Sequence, residues 1–438
     1  MNDHPIRLSV SDDLRRTRIT VGLRLLLAIP HYIWLALWSF VAFFAAVLNW
    51  LLTLLLGRSP GWLHHFLAAY VKYVTQLFAY LRIAADPYPS FDAPDGYPID
   101  LSIAPAARQN RLTVLFRLPL ALPAILISAA LGGLGGGSFS GSSGTRISSN
   151  GIGGLTAVAG WFVAVAQRRM PRGLRDMSAY SLLYGAQLWA YLLMLTDRYP
   201  NSDPLAALPE VPNRESAVQV RCEDDLHRSR LTVLFRLPLS FPHFLWLALW
   251  SIVAIPASIA NWLITLVRGR SPASLHRFLS AYVRYTISVY AFLELFANPF
   301  PGFAGSPGAY PALETHIAPP AAQNRWKTLF RAILAIPALL FASAFGSLAW
   351  ILAVLGWFSA LVRGRTPRGM RTAGALALRY AAQMLGYLLL LTDAYPYTGP
   401  LLGDGPEHPP APPVEPEPEP ALVFAPEQTP DPSLAANG

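Results

Sequence analysis

The sequence predicts an all-α integral membrane protein of four tandem helical-hairpin repeats. That makes about eight short transmembrane helices, with four amphipathic interfacial helices and short β segments at the repeat starts. Three observations predict it. Residues 24–58 read RLLLAIPHYIWLALWSFVAFFAAVLNWLLTLLLGR, with no charged side chain between the bracketing arginines, and arginine-bracketed blocks of this kind occur four times. Of the 438 residues, 53% are hydrophobic and 13% charged, with a mean hydropathy of +0.36, where a soluble domain carries about 25% charged residues. Finally, a Gly/Ser-rich run, residues 132–154, interrupts the second block. Polar backbone has no partners in hydrocarbon, so this run fits the tip of a hairpin and not the middle of a spanning helix.

The charge balance narrows the partners. The formal net charge is +9, and Lys72 and Lys327 are the only lysines, so the positive charge is almost all arginine. Arginine in place of lysine, with abundant Ala, Pro and Leu, is the mark of a GC-rich bacterial coding sequence. The basic residues flank apolar blocks, which points to anionic membrane lipids and not to nucleic acid. The single cysteine, Cys222, excludes an internal disulfide framework and a multi-cysteine metal site. The polar start, MNDHPIRLSVSDDLRR, does not read as a cleavable signal peptide.

Self-similarity sets the domain boundaries. Pro30-His31 aligns with Pro242-His243 and Arg58 with Arg270 without a gap. The stretch AARQNRLTVLFR aligns with AAQNRWKTLFR, and YLLMLTDRYP with YLLLLTDAYP. The repeats are therefore 1–96, 97–212 with the hairpin-tip insert 132–154, 213–308 and 309–404. Residues 405–438 are Pro-rich and acidic, the composition of a disordered tail that could bind a protein partner.

Each repeat reads in three parts. A short alternating segment comes first (Ile6, Leu8, Val10 in the first repeat), with the period of a strand. An arginine-rich lead-in and the apolar block follow. Thirty-three residues separate Arg24 from Arg58, whereas two full spans and a turn need about 42, so the hairpin either tilts as short spans or dips in without crossing. The third part runs from Pro60, Pro171, Pro272 or Pro367 to an aromatic-Pro exit. In the first repeat its apolar positions (Leu63, Phe66, Leu67, Tyr70, Val74) recur at helical spacing, as in an interfacial helix. The even repeats are more apolar there, which keeps a third span open. Arginine at both ends of all four blocks places every hairpin opening, and both termini, in the cytoplasm.

Few residues suggest chemistry. His31 and His243 follow a helix-kinking proline, and Asn49 and Asn261 lie in the second half of the same blocks. These four are the candidate intramembrane polar site, read either as interhelical bonds or as the lining of a path. The even repeats carry Ala124, Ala338, Gly160 and Gly356 instead. Arg24, Arg58, Arg117, Arg168, Arg236, Arg270, Arg331 and Arg365 are expected at lipid headgroups. His64, His65 and His276 lack the companion ligands of a metal centre. No nucleotide loop, zincin helix or nucleophile elbow is present, so neither a metal, a cofactor nor a catalytic set is expected.

The residues Arg230–Arg236, Leu27–His31, Trp50, Gly57–Pro60 and Tyr191–Pro200 together resemble a bacterial membrane family, domain of unknown function 4389. The resemblance implies a multi-pass inner-membrane protein and carries no activity. The functional expectation is a non-enzymatic structural or interaction role at the bacterial cytoplasmic membrane. The alternative is a pseudo-twofold transporter or channel for a small or lipid-like substrate.

Overall fold

A computed structural model describes residues 4–132, 151–204 and 216–400. The first unit contains β1 (Ile6–Val10), α1 (Arg18–Leu27), α2 (Ile29–Leu56) and α3 (Gly61–Leu81). The second contains β2 (Ile99–Ile103), α4 (Arg111–Leu115), α5 (Arg117–Leu131), α6 (Gly151–Gln167) and α7 (Arg172–Leu192). The third contains β3 (Val218–Cys222), α8 (Arg230–Leu234), α9 (Arg236–Arg268) and α10 (Ala273–Leu293). The fourth contains β4 (Leu313–Ile317), α11 (Arg325–Leu329), α12 (Arg331–Leu334), α13 (Ile336–Arg363) and α14 (Arg368–Leu388).

Local chemistry sets these limits. Pro30 sits in the first turn of α2, where its missing N–H costs no bond. Gly57, at φ 73°, ends the helix in the left-handed conformation that favours glycine. Pro60 then precedes the first turn of α3, which is unable to continue α2.

The apolar blocks are not hairpins. In the first, third and fourth units each is an uninterrupted helix: α2 has 28 residues, α9 has 33 and α13 has 28. In the second unit α5 and α6 continue one path. Arg117 of α5 stacks on Tyr191, Thr156 of α6 bonds Ser178, and Gly160 meets Met170, so contacts pass steadily back along α7. Gly132 and Gly151, at φ 70° and 40°, lie side by side, and a Cβ on Gly151 would fall 2.4 Å from the Gly132 nitrogen. Residues 133–150 of the predicted insert are outside the described residues.

The hairpin expectation failed for a physical reason. It assumed that the break lies in lipid, but Leu131 and Ile152 are buried and Arg82 Nη2 donates to the Gly132 carbonyl. Irregular backbone at such a place is permitted when protein supplies the partners.

Units are paired. β1 pairs antiparallel with β2, and β3 with β4. The Trp50 indole donates to Val114 O at 3.0 Å while Trp161 donates to Val21 O at 3.2 Å. Trp262 to Thr328 O and Trp357 to Val233 O repeat this in the other pair. Each long helix thus ends against the lead-in of its partner, and the two long helices of a pair run in opposite directions. That corrects the expectation that all four copies share one orientation.

The elements form layers. The return helices α3, α7, α10 and α14 lie in the middle, with long helices on one side and strands on the other. Residues 173–188 of α7 are all buried. α7 is therefore interior and not interfacial, whereas α3 and α10 keep exposed positions at Trp62, His65, Arg277 and Tyr290. Inward residues Ile6, Leu8, Ile99 and Leu101 seat one ribbon on them, and Val218, Val220 and Leu313 the other. Arg7, Ser9, Arg221, Glu314 and His316 face outward.

Candidate functional site

Two groups of side chains follow from this layering: polar groups turned inward, and apolar groups turned outward. The lead-in arginines are the first. Arg24, Arg117, Arg236 and Arg331 are each 3% exposed or less. Their guanidinium carbons lie 4.3, 4.2, 4.1 and 4.4 Å from the ring centres of Tyr80, Tyr191, Phe292 and Tyr387. Each donates to one or two carbonyls at the C-terminal end of the return helix or in the turn that follows it. Arg24 Nη1 reaches Tyr80 O and Ala85 O at 2.5 and 3.0 Å, and Nη2 reaches Asp86 at 2.8 Å. Arg331 reaches Tyr387 O, Thr392 O and Asp393 in the same way. A helix end leaves carbonyls unpaired and carries negative dipole charge, and a planar five-donor cation satisfies both. These four are not headgroup ligands. Arg58, Arg168, Arg270 and Arg365 are the exposed ones.

The same helix ends explain a backbone pattern. Ile83, Met194, Leu295 and Leu390, one in each unit, have φ between 57° and 66°. Their carbonyls are held by Arg16, Gln109, Arg228 and Gln323. Arg16 is in turn fixed by both oxygens of Asp12. The odd units use arginine and the even units glutamine, a pairing visible in the aligned sequences yet without meaning until the carbonyl is seen.

His31 is fully buried. Its Nδ1 lies 2.8 Å from the Tyr73 hydroxyl, and Phe91 and Tyr88 close over it at 4.5 and 4.6 Å between ring centres. His243 repeats this with Tyr285, Phe300 and Phe303. Asn49 donates to Leu193 O at 2.8 Å and accepts from Ser59 at 2.7 Å. Asn261 does the same with Leu389 O and Ser271. His31 and Asn49 are 18 residues apart on one helix, about 27 Å. The four residues are therefore two kinds of interhelical node and do not converge on one path. His64 and His276 are buried, His276 Nε2 lying 3.4 Å from Leu391 O, and burial lowers both imidazoles. Among the described residues no group of three His, Cys, Asp or Glu could hold a metal.

The outward face is the larger feature. Ile33, Leu37, Phe40, Phe44 and Leu55 of α2 are each 57% exposed or more, as are Ile252, Ile255 and Val267 of α9 and Phe358 and Val362 of α13. These three helices are long and apolar enough to cross a membrane. A soluble monomer rarely shows so large an apolar surface, so the protein associates with membrane. The opposite side is charged: Lys72 pairs with Asp95 and Asp100, and Asp95 is 98% exposed.

No curated protein and no solved structure matches the chain. A family profile matches residues 18–92, 230–304 and 325–398, just over half of the chain, and leaves the second unit unmatched. On these matches the chain belongs to the family described as Domain of unknown function (DUF4389).

Proposed function

We propose that the protein lies in one leaflet of the bacterial cytoplasmic membrane, its long helices in the plane of the bilayer, and serves there as a non-enzymatic membrane-organising and interaction scaffold. One observation carries this reading: the charged ribbons lie along the return helices and not beyond their ends, with Arg175 Nη1 donating to Asp12 O and Arg371 Nη1 to Asp224 O in the first turn of α7 and α14. Lys72, near the middle of α3, pairs with Asp95 beside β2, and Gln76, one turn further on, donates to Pro94 O. Gln187 and Gln383 bond Ile6 O and Val218 O in the same manner. The return helices run alongside the long ones. Were the long helices upright, two-stranded ribbons with open edges and exposed carboxylates would sit at mid-bilayer, where neither is tolerated.

In-plane helices remove that conflict. They also account for exposed arginine at the start of the lead-in and at the far end of helices that run in opposite directions (Arg18 and Arg58, Arg230 and Arg270), since every end then lies at headgroup level. Insertion into one leaflet expands it and bends the bilayer. The test uses full-length protein in vesicles containing phosphatidylglycerol, with a fluorophore at Phe40→Cys or Asp95→Cys in a Cys222→Ser background. Lipid-borne quenchers should reach position 40 and leave position 95 in water, and vesicles should tubulate or shrink. Deep quenching at position 95, or vesicles of unchanged shape, would refute the scaffold.

A further inference from the structure

The strongest unassigned feature is a cleft of about 680 Å³ between the second and fourth units, within the range of roughly 300–1,000 Å³ usual for ligand sites. One wall is α5, with Leu120 and Ile127; the other is the C-terminal half of α13, with Phe358 and Val362; α7 forms the floor. Leu120, Phe358 and Val362 are also exposed, so the mouth opens on the apolar face. Arg363 stands at one end.

Tyr184 lines the floor, and its hydroxyl is the informative group. Tyr184 is 1% exposed, and its oxygen has no hydrogen-bond partner. Its counterparts are all engaged: Tyr73 with His31, Tyr285 with His243 and Tyr380 with the Ala338 carbonyl. In the second unit Tyr184 makes no such bond to the matching carbonyl, on Ala124. Burial holds the Tyr184 phenol well above its ordinary value, so it remains a donor. A buried donor without an acceptor costs free energy, and its cost is removed by a ligand that brings one. The fourth unit shows what the cleft lacks. There Phe345 stacks on Tyr380 at 4.7 Å and Phe341 packs at 6.2 Å, where the second unit has Leu131 and Ile127.

We infer that this cleft binds one molecule of an anionic phospholipid, its acyl chain along Ile127 and Phe358, an ester carbonyl on the Tyr184 hydroxyl and its phosphate beside Arg363. The inference rests on the one-leaflet reading, because the mouth must face hydrocarbon. An acyl chain matches the apolar walls, an ester oxygen is an acceptor that needs no donor, and Arg363 supplies the charge complement.

The experiment photo-crosslinks full-length protein in phosphatidylcholine vesicles containing phosphatidylglycerol with a diazirine on the acyl chain, and maps adducts by peptide mass spectrometry. Adducts are expected on α5, α7 and α13 within the cleft and on the outward face of α2. Ile127→Phe, a ring the fourth unit already accommodates, should lower cleft adducts about fivefold and leave α2 adducts unchanged. Tyr184→Phe keeps the ring and should have a similar effect should Ile127→Phe not fold. Arg363→Gln should abolish preference for phosphatidylglycerol over a diazirine phosphatidylcholine. Labelled α2 with an unlabelled cleft, or cleft labelling that neither Ile127→Phe nor Tyr184→Phe reduces, overturns the site. Cleft labelling without headgroup preference in the unmodified protein overturns the anionic assignment. Absence of adducts on α2 as well overturns the one-leaflet reading and this site with it.

Discussion

Arg24 sits over the Tyr80 ring, its guanidinium carbon 4.3 Å from the ring centre, while its Nη1 bonds the carbonyl of the same residue at 2.5 Å. One side chain thus packs a ring and closes a helix end. Arg24→Lys loses the planar fork, and Arg24→Leu removes the donor to the Ala85 carbonyl and leaves Tyr80 O only its backbone partner, Ile83 N–H. Each should cost on the order of 2–4 kcal/mol, read as a lower midpoint in thermal melts of the detergent-solubilised protein. A lysine variant as stable as the original would show that stacking and bidentate bonding are dispensable.

The junction of α5 and α6 gives a second prediction. Gly132 and Gly151 are neighbours in space, and the aligned fourth unit runs straight through as α13. Deleting residues 133–150 should give a folded protein with one continuous helix, more stable by on the order of 1–3 kcal/mol from the lost loop-closure cost. Circular dichroism and size-exclusion chromatography would report it. A hairpin would not survive the deletion, so aggregation of the shortened chain would restore the hairpin.

Asn49 and His31 differ in what they hold. Asn49→Leu strands the Leu193 carbonyl and the Ser59 hydroxyl, both buried, and should destabilise by about 1–3 kcal/mol. His31→Phe keeps ring packing against Phe91 and loses one bond to Tyr73, so it should cost about 0.5–1.5 kcal/mol. Side-by-side denaturation in mild detergent separates the two. A larger loss at His31 than at Asn49 would contradict the bonding described.

Glu294, at the end of α10, has a buried oxygen with no partner, and desolvation pushes its carboxyl from 4.5 up to about 8. Between those values the folded chain keeps a proton that the unfolded chain has released. Stability should therefore fall as pH rises through this window, by up to about 1.4 kcal/mol per unit, and level off above it. Glu294→Gln should remove the slope and be the more stable protein at pH 8. Melting midpoints from pH 5 to 9 test this, and parallel profiles for the two proteins would exclude Glu294 as the source.

The sequence by itself determined the local layout. The period of two at Ile6, Leu8 and Val10 marks a strand, Gly57 and Pro60 mark where one helix stops and the next begins, and the absence of charge from Arg24 to Arg58 marks a block that water does not solvate. These depend on neighbouring residues alone. Only the tertiary structure decided where each block points and what each arginine touches. Arg24 and Arg58 bracket the same block and read alike, yet Arg24 finds carbonyls 56 and 61 residues away while Arg58 remains exposed. An apolar surface is equally compatible with lipid and with protein, so hydropathy registered α7 as a surface helix although it lies buried, and the insert as a hairpin tip although Arg82 caps the break. Burial and direction are fixed by partners distant in the chain, and no local pattern carries them.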